Sequence, residues 1–273
     1  MADIGASLHN AIEVYKKNWQ KMFFASFVYL LSLLVIYSIL LVWVFVAGYT
    51  SGTEIFFGFD LIFIILFLIL VFVYMYLQLG FTRYLNLYFS KEPKLNEILH
   101  FLKYRKLDTL IFVILMTIIT MFVFSPLLVL VAISNLESVG SAAFAFILLM
   151  LCSLAWLLFL FSGIAYAVED LSPIDAIKRS FYLVKRNYLT TLLFLFIYYI
   201  IIYLISIVAI LVVLLIVLTI ILIPLAMVLI FLFMLFVVSF CSLWLISFYR
   251  ELMKSEPMTR TEQRVRKGSR RKE

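Results

Sequence analysis

Between residues 187 and 249 the chain runs for 63 residues without one Asp, Glu, Lys or Arg. A bilayer core of ~30 Å takes about 20 apolar residues per crossing helix. The run is therefore too long for one crossing and suits two, with a turn near Pro224. Four more uncharged runs, 22–53, 61–82, 109–136 and 138–168, each suit one crossing. The chain is 66% hydrophobic and 14% charged, where soluble domains are about half apolar and a quarter charged. The expected fold is an all-α integral membrane protein with six transmembrane helices, at roughly 22–47, 59–81, 109–133, 142–168, 189–216 and 224–248. The first is about twice the length of a signal-peptide apolar region, ~7–15 residues, and reads as a span.

The basic residues orient these spans, because Lys and Arg collect on the cytoplasmic side. All 22 of them lie in 1–21, 82–108, 169–188 and the tail from 250, while 48–58, 134–141 and 217–223 carry none. The expected location is the cell membrane, multi-pass, with both termini cytoplasmic. The net charge of +7 follows from these flanks, so nucleic acid is not an expected partner. The outer connections are too short for a catalytic or receptor domain.

The segment EDLSPIDAIKRSFYLVKRNYL, 169–189, reads as an amphipathic helix between greasy runs. Ser172 suits the N-cap, Pro173 the first helical position, and Asp175 a capping-box place near the positive end of the helix dipole. Ile174, Ile177, Phe181, Val184 and Tyr188 form a stripe that Lys178, Arg179, Lys185 and Arg186 avoid. Such a helix lies in the membrane interface or packs beneath the bundle. A similar stripe, Ile4, Leu8, Ile12, Tyr15 and Trp19, precedes the first span, and Leu95, Ile98 and Leu102 precede the third. The junctions align as Tyr15-Lys16-Lys17-Asn18, Tyr104-Arg105-Lys106-Leu107 and Val184-Lys185-Arg186-Asn187. The chain then reads as one membrane domain, 1–249, of three units (1–81, 82–168, 169–249). Each is an interfacial amphipathic helix followed by a transmembrane hairpin. Residues 250–273 form a basic tail expected to be disordered.

Lys16, Lys17, Arg105, Lys106, Lys185 and Arg186 are the candidate anionic-lipid contacts, since each charge near an anionic leaflet contributes ~1 kcal/mol. No ionisable residue falls at mid-membrane depth, which argues against a proton- or sodium-coupled transporter. Tyr198, Tyr199, Tyr203 and Ser206 cluster in the fifth span, and Tyr74, Tyr76 and Gln78 in the second. The first four are candidate cavity-lining residues; hydrogen-bonded bridging between helices is the plainer reading. Pro126 is expected to kink the third span. Cys152 and Cys241 read as small apolar packing residues. His9 and His100 lack partners at metal-ligand spacing, and no catalytic motif is present, so no catalytic, cofactor or metal residue is expected.

The acidic pair Glu169-Asp170, the helix start, Ala176-Ile177, Ser180 and the apolar-basic-basic-Asn ending at Asn187 resemble a signature of a prokaryotic multi-pass membrane family. That family is related to the membrane domain of glycerophosphoryl diester phosphodiesterases. The catalytic barrel of the fused enzymes is missing, so the resemblance implies a stand-alone membrane protein and none of their activity.

The leading expectation is a non-enzymatic protein organising lipids or protein partners. The alternatives are a transporter or carrier of lipid or apolar molecules through a cavity between repeats, and a lipid-headgroup enzyme using Glu169, Asp170 or a histidine. The topology has a direct test. Reporters after Lys21, at Lys94, at Lys178 and at the C-terminus should read cytoplasm, and those at Ser51 and Ser138 the outside. A cytoplasmic signal at Ser138 breaks the six-span reading.

Overall fold

A computed structural model describes residues 2–50, 56–90, 105–133, 139–217 and 223–255, with side chains at 2–39, 41–42, 69–90, 105–127, 143–211 and 228–255. Regular structure among them is entirely helical. The helices are α1 (Ile4–Thr50), α2 (Phe56–Leu87), α3 (Lys106–Ile133), α4 (Val139–Trp156), α5 (Ser162–Glu169), α6 (Pro173–Arg186), α7 (Tyr188–Val217) and α8 (Ile223–Lys254), with a 3-10 turn at Leu157–Phe159. Five stretches are long and apolar enough to cross a membrane: Ile4–Ile39, Lys106–Leu127, Ala143–Glu169, Tyr188–Leu211 and Val228–Lys254. In none is more than 28% of the apolar window buried inside the protein. The apolar surface therefore faces outward, which hydrocarbon accommodates and water does not. The expected span 59–81 falls within α2, where the side chains of 59–68 lie outside the described residues. So do the amphipathic helix expected around 95–102, including His100, and the tail from 256.

Helix α6 begins as its sequence dictates. The Ser172 hydroxyl oxygen accepts the Asp175 backbone N–H at 3.2 Å, with Pro173 at the start of the helix. Its buried face coincides with the expected stripe only in part, at Val184 and, packed on the core, Ile177 and Tyr188. Ile174 and Phe181 are exposed, while Ala176, Ser180, Leu183 and Val184 are buried. The start of α1 behaves alike: Trp19 is exposed, whereas Ser7 and Ala11 are fully buried. Small residues let these helices approach the bundle closely, and in a bilayer large apolar side chains gain nothing by turning inward.

Both helices end alike. At Asn18 (φ −127°, ψ 17°) α1 kinks, and at Asn187 (φ −115°, ψ 33°) α6 gives way to α7. Each asparagine side chain donates to the carbonyl four residues back, Val14 at 3.1 Å and Leu183 at 3.2 Å. The starts match as well, since an Asp3 carboxylate oxygen accepts the Ala6 N–H at 3.0 Å as Ser172 does for Asp175.

The expected kink at Pro126 does not break α3, which continues to Ile133. Proline removes the N–H owed to the Phe122 carbonyl, and the Ser125 hydroxyl donates there instead, at 2.8 Å. The interruption falls in the fourth apolar run, between α4 and α5.

The most extensive helix contact among the described residues joins α1 to α8. The hydroxyls of Ser26 and Ser239 meet there, Trp244 Nε1 donates to Ser7 Oγ at 3.2 Å, and Tyr15 sets its ring edge-on to Phe236 and Phe240. This contact has a covalent test. A Ser26→Cys/Ser239→Cys variant, with Cys152 and Cys241 replaced by Ala, should cross-link on mild oxidation, as judged by gel mobility. Failure to cross-link overturns this packing.

Candidate functional site

The site gathers around the interruption in the fourth apolar run. Between Trp156 and Ser162 the regular α-helical ladder lapses into a 3-10 turn and a short bend. Unsatisfied backbone groups are costly away from water. Ser180 of α6 answers two of them: its hydroxyl oxygen accepts the Phe161 N–H at 3.1 Å, and its O–H donates to the Leu158 carbonyl at 2.9 Å. Just above, the Tyr188 hydroxyl donates to the Leu154 carbonyl at 3.2 Å. Ala176, one turn before Ser180 and fully buried, leaves room for this approach.

The acidic pair ends α5, and its two members have different partners. Glu169 Oε1 accepts from Arg179 Nε at 3.2 Å and from the Tyr249 hydroxyl, tying α5 to α6 and α8. Asp170 adopts a left-handed conformation (φ 54°), which Asp tolerates better than most side chains. Its carboxylate pairs with Arg83 of α2 at 2.7 Å. Arg83 also donates to the Ala167 carbonyl at 2.8 Å and Val168 at 3.3 Å, while Arg105 donates to those of Asp170 at 2.6 Å and Leu171 at 2.9 Å. Two guanidinium groups thus cap the negative end of α5, where helix carbonyls lack partners. Tyr166 completes the cluster, stacked on Phe112 at 4.9 Å and in hydroxyl contact with Thr109 at 3.2 Å.

The other side of the interruption opens on a cavity of about 270 Å³. The broken span contributes Trp156, Phe159, Leu160, Gly163 and Ile164; α2 contributes Gln78 and Thr82, α3 Phe112 and Met116, and α8 Ser242, Leu245 and Ile246. The lining is mainly apolar, with one amide and two hydroxyl side chains. Gly163 matters because a Cβ there would meet Leu79 at 3.6 Å, an ordinary contact. A larger side chain would enter the space.

Of the candidate lipid contacts, Lys16, Lys17, Lys106, Lys185 and Arg186 are exposed. Arg105 instead uses donors on backbone carbonyls. The hydroxyl cluster of α7 divides between the core and one outer groove. Tyr198 is 8% exposed and packs on Phe194 and Trp244. Tyr199 and Tyr203, 63% and 68% exposed, border an outer groove with Ser206 that α7 alone lines. His9 is exposed, and no group of three His, Cys, Asp or Glu among the described residues could hold a metal. Sequence reasoning missed Arg83, Tyr249, Gly163 and Ser242, which have meaning only once α2, α5 and α8 come together.

Comparisons with protein families, curated proteins and solved structures find no match.

The clasp at Ser180 can be measured. Ser180→Ala leaves the Phe161 N–H and Leu158 carbonyl without their partner and should cost about 1–3 kcal/mol, read as a lowered unfolding midpoint in detergent. Unchanged stability would remove Ser180 from this role.

Proposed function

We propose that this protein is a non-enzymatic six-span membrane protein that carries or holds a lipid chain or another apolar molecule in the cavity beside its interrupted fourth span. The cavity is the observation that carries the reading. Its volume of about 270 Å³ lies just below the ~300–1,000 Å³ common for small-molecule sites. That suits part of a lipid rather than a whole one. Discontinuous helices recur at binding sites in transporters because the break exposes backbone to a cavity. The rival reading, an organiser of lipids or proteins without a ligand space, gives this cavity no role. The headgroup-enzyme reading is weaker because the carboxylates of Glu169 and Asp170 are each engaged by an arginine.

The six spans form three units in this reading. The matched caps and asparagine junctions of the first and third units support it. So do the ties between Glu169 and Arg179 and between Glu251 and Asn10 (3.3 Å), which take matching places. In each, an acid just beyond a second span meets the amphipathic helix that opens a unit, at the residue seven positions after its N-cap. Both termini are cytoplasmic in the cell membrane, and the exposed pairs Lys16-Lys17 and Lys185-Arg186, with Lys106, contact anionic lipid. The relation to the phosphodiesterase-associated membrane family stands with this proposal and rests on the 169–187 signature.

Gly163→Leu tests the cavity. Purified, delipidated variant should keep its helical content and elution volume but bind a fluorescent fatty-acyl probe about ten-fold more weakly than wild type, the effect of ~1.4 kcal/mol. Equal binding would overturn the carrier reading.

A further inference from the structure

We infer that a second pocket, at the basic end of α8, is the binding site for a phosphoamine headgroup, and that it and the cavity hold one zwitterionic phospholipid between them. The second clause rests on the carrier reading. The pocket measures about 280 Å³ and is lined by Asn10, Glu13 and Val14 of α1, Phe89 beyond α2, and Ser247, Arg250, Glu251 and Lys254 of α8. Its register ties it to the cavity. Thr82 and Ile246 line the cavity, and Asn86 and Arg250 follow them by four residues on α2 and α8, about 6 Å along each helix. Asn86 and Arg250 meet there, Oδ1 to Nη1, at 3.5 Å. A lipid with its chain in the cavity would bring its phosphate to this level.

The charges select the headgroup. Two carboxylates and two cations line the pocket, so it is neutral overall and does not favour a purely anionic lipid. Glu251 and Lys254 already satisfy each other at 2.6 Å, and Asn10 adds a bond to Glu251. Arg250 is different. Among the described residues it has no carboxylate within ion-pair distance, and its only hydrogen bond is the long one to Asn86. Its guanidinium lies 4.9 Å from the centre of the Phe89 ring. Several N–H donors remain for a phosphate, which guanidinium groups match in geometry. Glu13 is exposed and has no bonded partner among the described residues, leaving its carboxylate for an ammonium. A quaternary ammonium would call for an open aromatic face. The pocket's single ring, Phe89, is already covered by Arg250, so the amine is primary.

The test uses the full-length protein, delipidated in detergent and titrated with defined short-chain lipids by native mass spectrometry. Wild type should bind phosphatidylethanolamine about ten-fold more tightly than phosphatidylglycerol or phosphatidylcholine, the effect of one charge-assisted hydrogen bond. Glu13→Gln should lower phosphatidylethanolamine binding to the level of the others. Arg250→Gln should weaken all three, and Arg250→Lys should restore part of that loss, with elution volume and helical content checking each fold. Soluble glycerophosphoethanolamine separates the ligand sources: competition at concentrations near those of the lipid would mean that the headgroup binds alone and overturn the two-site reading. Equal binding of the three lipids, or an unchanged preference in Glu13→Gln, overturns the headgroup site. Gly163→Leu keeps the two proposals apart. If it abolishes lipid binding while the Glu13 and Arg250 variants behave as wild type, the cavity stands and the headgroup site falls. If it has no effect while those variants change selectivity, the carrier reading falls and the headgroup site remains.

Discussion

The bond pair at Ser180 organises the protein, because a helix interrupted in an apolar setting must have its backbone groups answered from elsewhere. Phe161 and Leu158 each direct one toward α6, and one hydroxyl serves both. That requirement fixes where α6 lies and which face it presents. Ala176 then has to be small, Leu183 has to be buried, and Arg179 comes within reach of Glu169. The arginines finish the job at the other end of α5: Arg83 and Arg105 hold the carbonyls that the short helix leaves open. The acidic pair thus belongs to the scaffold, each carboxylate joining α5 to a different neighbour.

Much of this was legible in the sequence, though not always for the reason first given. Five of the expected spans followed from uncharged runs, because lipid permits little else to be so long and so apolar. The Ser172 cap and the junction asparagines were legible because capping is local chemistry. The stripe on α6 divides, with Val184 buried and Ile177 and Tyr188 packed on the core while Ile174 and Phe181 are exposed. In a bilayer the large residues Ile174 and Phe181 turn outward at little cost, and Ser180, one of the more polar residues of the helix, takes the centre of the contact. At Pro126 the helix continues, with the Ser125 hydroxyl on the Phe122 carbonyl that proline leaves open. The real interruption at Leu157–Phe161 carries neither proline nor glycine, so no local signal marked it. The cavity was not legible because its lining comes from four separated segments.

The two proposed routes to lipid differ in physical character. The exposed pairs Lys16-Lys17 and Lys185-Arg186 lie where amphipathic helices turn into spans, and an exposed charge attracts an anionic surface without choosing among headgroups. Arg250 is half-buried between α2 and the aromatic ring of Phe89, with a carboxylate nearby on α1. A charge held in that way discriminates, because a ligand that leaves it or Glu13 unmatched loses more than it would at an exposed site.

The interruption and the cavity are best understood as one device. Trp156, Phe159, Leu160, Gly163 and Ile164 recur at i, i+3, i+4, i+7 and i+8, so one helical face, carried across the 3-10 turn, borders the space. Nothing in a bilayer drives that space to collapse, because lipid is as apolar as the walls and helix association depends on packing. The clasp at Ser180 and the ties at Glu169 stop the break from healing, and Gly163 keeps its side of the wall bare. A fold that only needed to cross a membrane would not require any of the three.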